Sequence, residues 1–200
     1  IKDIESLIER KVDLLIVAPN EAEAITPVIE KAYDAGIPVI LVDRKINSKK
    51  YTAYVGADNY EIGRKAGEYI ADRLGGKGRV IEITGLRGST PAVERHRGMM
   101  EALKAAPGVQ VVASAEAGWF RQKAGEVMDT LLDAHPQVNL VFAQNDRMAI
   151  GAYEKARQKN RAGQIAFVGV DAVAGGVESV AEGKLDATFI YPTGGDKVIQ

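Results

Sequence analysis

Four apolar runs in this chain end in groups that hold hydrogen bonds in fixed directions. Asn20 follows "LLIVAP", Asp43 and Arg44 follow "VILV", Asn145 follows "VFAQ", and Asp171 follows "FVGV". Carboxylates accept, amides donate and accept, and a guanidinium adds a planar fork of donors. Such a set complements a ligand rich in hydroxyls, whose apolar C–H face would rest on an aromatic ring. "AGWFRQ" offers Trp119 and Phe120 just after the run "VQVVASA", and Tyr191 follows "ATFI" in the same way. Arg95, in "ERHRG", falls about one turn into a helix with its side chain directed back toward the run ends. Each residue also has a structural use. Asn20 and Asp171 suit helix caps, Asp43 with Arg44 a solvated pair, and Arg95 an exposed ion pair. Trp119 or Phe120 could plug the core beneath a helix, Phe120 the more readily.

The segment "FAQNDRMAIGAYEKA" sets an amide beside a carboxylate where an apolar run gives way to helical spacing, with Met148, Ala149, Ala152, Tyr153 and Ala156 on one face. Asp146 reads as the helix N-cap. That leaves Asn145 for a ligand.

Enzyme signatures are missing. There is no Gly-x-Ser-x-Gly elbow, no His-Glu-x-x-His and no cysteine nucleophile. Asp43 and Asp171 could in principle serve as acid and base, but nothing identifies a nucleophile or metal to work with them. "GLRGSTPAVERHRGMMEAL" has a glycine-rich turn before a helix but lacks the Gly-Lys-Ser/Thr ending of a phosphate-binding loop. His135, in "DAHPQV", suits a helix end, and His96 an exposed helix face. With two histidines and no cysteine, neither a zinc site nor thiol chemistry is expected, and no cofactor is implied. Basic and acidic residues balance at 26 to 27 with no basic block, which gives no footprint for nucleic acid. No apolar run approaches the roughly 18 residues that span a bilayer, and none resembles a signal peptide.

The elements that must position these groups follow from the pattern. Short β-rich runs alternate with helical periods over residues 21–35, 58–74, 89–105, 121–134, 146–157 and 173–181. Continuous apolar strands rather than alternating ones indicate parallel strands covered on both faces, hence an α/β chain. In such sheets ligand groups sit beyond the carboxyl ends of the strands. "AYVGADN" and "ATFIYPTGG" read as crossings between two lobes, giving one lobe of residues 1–57 plus 192–200 and another of 58–191. The expectation is two doubly wound parallel-sheet lobes around a central ligand cleft. The chain opens inside a helical pattern (Ile4, Leu7, Ile8), and its final "GGDKVIQ" reads as a first helical turn, as in a piece of a longer protein.

With those residues in place, the chain resembles the type I periplasmic sugar-binding fold of ribose-binding proteins and of the effector domains of lactose-repressor-like regulators. The resemblance rests on "PVILVDRK", "GADNYEIGRKAGEYI", "AVERHRGM", "VFAQNDRMAIGA", "FVGVDA" and "EGKLDAT", in the family's order and spacing. It implies sugar contacts at Asp43, Arg44, Arg95, Trp119, Asn145 and Asp171. Two positions depart from the ribose pattern. Ala18 stands where ribose binders carry an amide, and Tyr191 where they carry Gln. Tyr191 joins the ligand set as a hydroxyl of longer reach, and the changes favour a ketohexose such as fructose, with ribose next.

The chain is also similar to the periplasmic sensor domains of hybrid two-component histidine kinases. That implies a domain that closes on a monosaccharide and signals, in the periplasm, as a homodimer or within a membrane-anchored kinase. The alternatives are a solute-binding protein of a sugar transporter and a repressor's effector domain.

Overall fold

The computed structural model describes residues 1–193, so the helical turn expected in "GGDKVIQ" lies outside the described residues. Contacts divide the chain into two compact units.

The first unit comprises Ile1–Asp58 and Gly88–Pro91, with Pro192 and Thr193. It contains α1 (Lys2–Glu9), β1 (Leu15–Val17), α2 (Ala22–Asp34), β2 (Val39–Val42) and β3 (Ala53–Val55), and its strands form a parallel sheet in the order β1-β2-β3. Ile29, Ala32, Val39 and Leu41 are fully enclosed in its core. Gly88–Pro91 is tied in by two bonds: the Ala22 amide donates to the Gly88 carbonyl at 3.0 Å and the Lys45 amide to Thr90 Oγ1 at 2.9 Å.

The second unit, Asn59–Arg87 with Ala92–Tyr191, contains α3 (Asn59–Arg73), β4 (Lys77–Thr84), most of α4 (Thr90–Leu103), β5 (Gly108–Glu116), α5 (Arg121–Ala134), β6 (Leu140–Ala143), α6 (Asp146–Gln158), β7 (Ala166–Asp171), α7 (Ala174–Ala181) and β8 (Ala187–Ile190). Its five strands are parallel throughout, in the order β5-β4-β6-β7-β8. Every residue of β6 and the first five of β7 are buried, so continuous apolar runs here do mark strands covered on both faces. β1 departs from that rule, because Ile16 is 56% exposed.

An all-parallel sheet brings every strand's carboxyl end to one edge, so residues far apart in sequence share that edge. In the second unit these are the residues after β4, β5, β6, β7 and β8. α4 is held beside α3 by two glycines. A Cβ at Gly63 would lie 2.1 Å from the Arg95 carbonyl oxygen, and one at Gly98 would lie 2.1 Å from that of Tyr60. Only a residue without a side chain allows this approach, and it sets Arg95 of α4 against the first residue of α3.

Candidate functional site

In the second unit Arg95 is the centre of the arrangement. It is 3% exposed, so the alternative of a surface ion pair does not hold. Its Nε donates to Asn59 Oδ1 at 2.9 Å, and its Nη1 donates to the Gln144 carbonyl. Nη2 lies 4.0 Å from Asp171 Oδ1. The guanidinium carbon stands 5.7 Å from the Trp119 ring centroid and 5.0 Å from that of Tyr191, both within cation–π range. Five strand-end or helix-start residues are thus gathered on one cation. Trp119 itself leans on Gly85, where a Cβ would lie 2.1 Å from the indole. Phe120 does not plug the core: it is the N-cap residue of α5 and 68% exposed, because Trp119 takes the inward position.

The cap expected at Asp146 is supplied by its neighbour. Asn145 is the N-cap of α6, with extended backbone (φ −152°, ψ 165°), and its Oδ1 accepts from the Met148 amide at 2.8 Å. Its Nδ2 donates to the Trp119 carbonyl at 3.3 Å. Asp146 is already helical, and its side chain is fully buried beneath the neighbouring strand ends. There Oδ1 accepts from the Thr188 hydroxyl at 2.5 Å and Oδ2 from the Val173 amide at 3.0 Å. Burial pushes this carboxyl above its ordinary value of 3.8. The reason lies one residue upstream, since β6 ends so that the last extended residue is Asn145, and the cap is the last residue with non-helical dihedrals.

Asp171 does not cap α7, whose N-cap is Val173. Its carbonyl accepts from the Tyr191 amide at 3.3 Å. In the first unit, Asn20 does not cap α2, whose N-cap is Glu21. Instead Arg44 Nη1 donates to Asn20 Oδ1 at 2.6 Å, while Arg44 Nε lies 3.6 Å from Asp43 Oδ2. The Tyr54 hydroxyl donates to the Asp43 carbonyl at 3.1 Å. The structure therefore groups Asn20, Asp43 and Arg44 in one unit, and Arg95, Trp119, Asn145, Asp171 and Tyr191 in the other.

Backbone conformation marks the same places. Among the described residues, six non-glycine residues have positive φ: Lys11, Asp43, Trp119, Asn160, Asp171 and Ala172. Lys11 and Asn160 directly follow the C-caps of α1 and α6, where a left-handed residue is usual. The other four follow β2, β5 and β7, and three of them are expected ligand residues. Left-handed backbone in non-glycine residues costs on the order of 1 kcal/mol or more each, and such strain gathers at ligand sites.

Sequence reasoning missed Asn59, the partner of Arg95, and Glu82. The second had a signal in "VIEIT", a carboxylate inside an otherwise apolar strand. Glu82 is fully buried and accepts from His96 Nδ1 at 2.8 Å, Ser114 Oγ at 2.9 Å and Gln144 Nε2 at 2.9 Å. Hydrogen bonding to Glu82 holds His96 above its ordinary value of 6.5. His135 is the C-cap of α5. Among the described residues, no group of His, Cys, Asp or Glu is arranged to hold a metal ion, and no helix is long and apolar enough to cross a membrane.

The family profile described as the periplasmic binding protein domain matches residues 1–195. The chain belongs to that family. This periplasmic binding protein domain is 37% identical over 187 residues to the ribose import binding protein of Escherichia coli, covering 94% of the chain and 62% of that protein. Among solved structures it superposes on the fructose-binding periplasmic domain of a hybrid two-component system with a TM-score of 0.96 and 53% identity, over 100% of the chain and 67% of that one. A periplasmic solute-binding protein of a transporter from Actinobacillus succinogenes, with bound D-allose, matches at 34% identity and a TM-score of 0.80, over 92% of the chain and 68% of that one. These relatives are binding proteins or sensor domains and not enzymes. The domain spans less than two thirds of the length of the ribose import binding protein.

Proposed function

We propose that this domain binds one monosaccharide in the periplasm, does no chemistry on it, and serves as the sensing input of a two-component system, with a ketohexose such as D-fructose favoured over D-ribose. The observation that carries this reading is the 53% identity, across the whole chain, to a fructose-binding periplasmic domain of a hybrid two-component system. Relatives named for ribose and allose match at 37% and 34%.

The ligand set is Asp43 and Arg44 in the first unit and Arg95, Trp119, Asn145, Asp171 and Tyr191 in the second. Capping of α6 engages the carbonyl of the Asn145 amide, and the Nδ2 group still has two hydrogens to share between the Trp119 carbonyl and a hydroxyl. Asp171 accepts from sugar hydroxyls, and the Trp119 ring offers a face to the C–H side. Ala18 and Tyr191 are the two positions at which the resemblance departs from the ribose pattern, which supports the ketohexose.

A thermal-shift series on the intact protein with D-fructose, D-ribose and D-allose tests the reading. A sugar at 100 times its dissociation constant adds about 2.7 kcal/mol of stability. Stabilisation by D-fructose above the others is expected. Stabilisation by D-ribose alone would overturn the ketohexose assignment, and stabilisation by no monosaccharide would overturn sugar binding itself.

A further inference from the structure

A buried carboxylate in a central strand is costly, and an apolar residue of similar size would serve the core at least as well. Glu82 nevertheless occupies β4 between Ile81 and Ile83, fully enclosed. Three donors converge on it: Gln144 Nε2 on one oxygen, and Ser114 Oγ and His96 Nδ1 on the other. The Gln144 side chain is in turn fully committed. Its Nε2 also donates to the Ala92 carbonyl at 3.1 Å, and its Oε1 accepts from the Gly85 amide at 3.0 Å. Two parts of the candidate site hang on that residue. The Gln144 backbone carbonyl accepts from Arg95, and Gly85 is the seat of the Trp119 indole.

We propose that Glu82 and Gln144 are positioning residues for Arg95 and Trp119, and that His96 sets the strength of this relay from the protein surface. The proposal rests on the sugar-binding reading above. Glu82 fixes the Gln144 side chain, and Gln144 fixes the carbonyl that orients the guanidinium and the glycine that seats the ring. None of the three need touch the ligand. His96, whose side chain is 47% exposed, opens on a cavity of about 250 Å³ lined by Thr84, Arg87, Ala92, Val93, His96 and Ser114, so its proton exchanges with solvent. The groups facing it are Glu82 from β4 and Ser114 from β5. Arg87 shares the cavity and has its own partner, Glu116, at 3.8 Å. A protonated His96 completes an ion pair with Glu82 and anchors the relay. Loss of that proton removes the positive charge and leaves the carboxylate only neutral donors, His96 among them through its Nδ1–H tautomer.

Titration calorimetry of the intact protein with D-fructose and with D-ribose, from about pH 5.5 to 8.5 across the imidazole range, reads this out. Glu82→Gln keeps the shape but turns an NH2 group toward at least one of three donors, and a loss of about tenfold or more in sugar affinity is expected. Wild-type affinity should fall as pH rises through the His96 titration, and His96→Ala should flatten that profile, which a merely structural role would not do. His96→Ala removes a half-exposed group, so it decides the matter even where Glu82→Gln fails to fold. Unchanged affinity in Glu82→Gln together with a wild-type pH profile in His96→Ala would overturn the relay and leave sugar binding in place. Weakened binding in Glu82→Gln with an unaltered profile in His96→Ala would support Glu82 as positioner and overturn the role of His96. A wild-type protein that binds neither of these sugars nor any other would overturn the reading beneath, and this proposal with it.

Discussion

The two units hold their candidate ligand groups by different physics. In the first, Asn20, Asp43 and Arg44 lean on one another near the surface, and the Asp43 side chain is 43% exposed. In the second, Arg95 is enclosed and bonded to Asn59 and Gln144, with Asp171 close by and two rings against its guanidinium. Exposed ion pairs contribute little and tolerate rearrangement, whereas buried polar groups must be satisfied to be stable at all. The second unit therefore presents a preorganised group of candidate ligand residues. The first presents a more exposed one, with Asp43 in left-handed backbone.

Substitutions can break this contrast. The largest effect is expected from Arg95→Met, which takes a charged donor from Asn59 and from the Gln144 carbonyl and should weaken sugar binding by about 3 kcal/mol or more, measured by calorimetry. Asp146→Ala orphans the Thr188 hydroxyl and the Val173 amide and should cost about 2–3 kcal/mol of stability in denaturant titration, while the sugar still binds. Gly98→Ala drives a methyl into the Tyr60 carbonyl and should cost about 1–3 kcal/mol with some loss of affinity, since it displaces α4 and Arg95 with it. In the first unit, Arg44→Ala should change stability by about 1 kcal/mol or less. Equal stability losses in the two units would refute the contrast.

The smallest effect concerns pH. His96 is raised above 6.5 by its hydrogen bond to Glu82, so its stabilising contribution is complete below that value and lost as pH rises through the folded-state value. Because the imidazole is half-exposed, the slope should integrate to less than about 1 kcal/mol, and His96→Ala should remove it. Asp146 is also raised, by burial, and its ionisation likewise lowers stability as pH climbs above 3.8.

Much of this was legible in the chain. The helix expected at 121–134 is α5 to the residue, and β6 and β7 fall within "VNLVFAQ" and "IAFVGVD", because continuous apolar runs bounded by polar residues have one economical solution in a two-sided sheet. The same rule misled at β1, where Ile16 is exposed in spite of an apolar run. A run of apolar residues states what it can bury and not whether anything covers it. Phe120 shows this again. Two adjacent aromatics after a strand cannot both turn inward, and which of them does depends on the room that Gly85 leaves for an indole.

What the sequence determined by itself is local: the alternation of strand and helix, and the address of the polar groups just beyond the strand ends, because hydrophobic period and turn chemistry act within a few residues. What only the tertiary structure decided is long-range. Asp146 finds its partners 27 and 42 residues away at Val173 and Thr188, and Gln144 finds Glu82 at a separation of 62. Asn145 and Asp146 are nearly equal as caps by composition, and the end of β6 and the waiting donors at Val173 and Thr188 assign one to the helix and the other to the core. Arg95 is an unremarkable helical arginine until Gly63 and Gly98 bring α3 against α4 and parallel pairing brings the strand ends of β5, β6, β7 and β8 around it. A parallel sheet orders its strands by packing and not by sequence, so the neighbours of each strand end are settled only when the sheet closes its register.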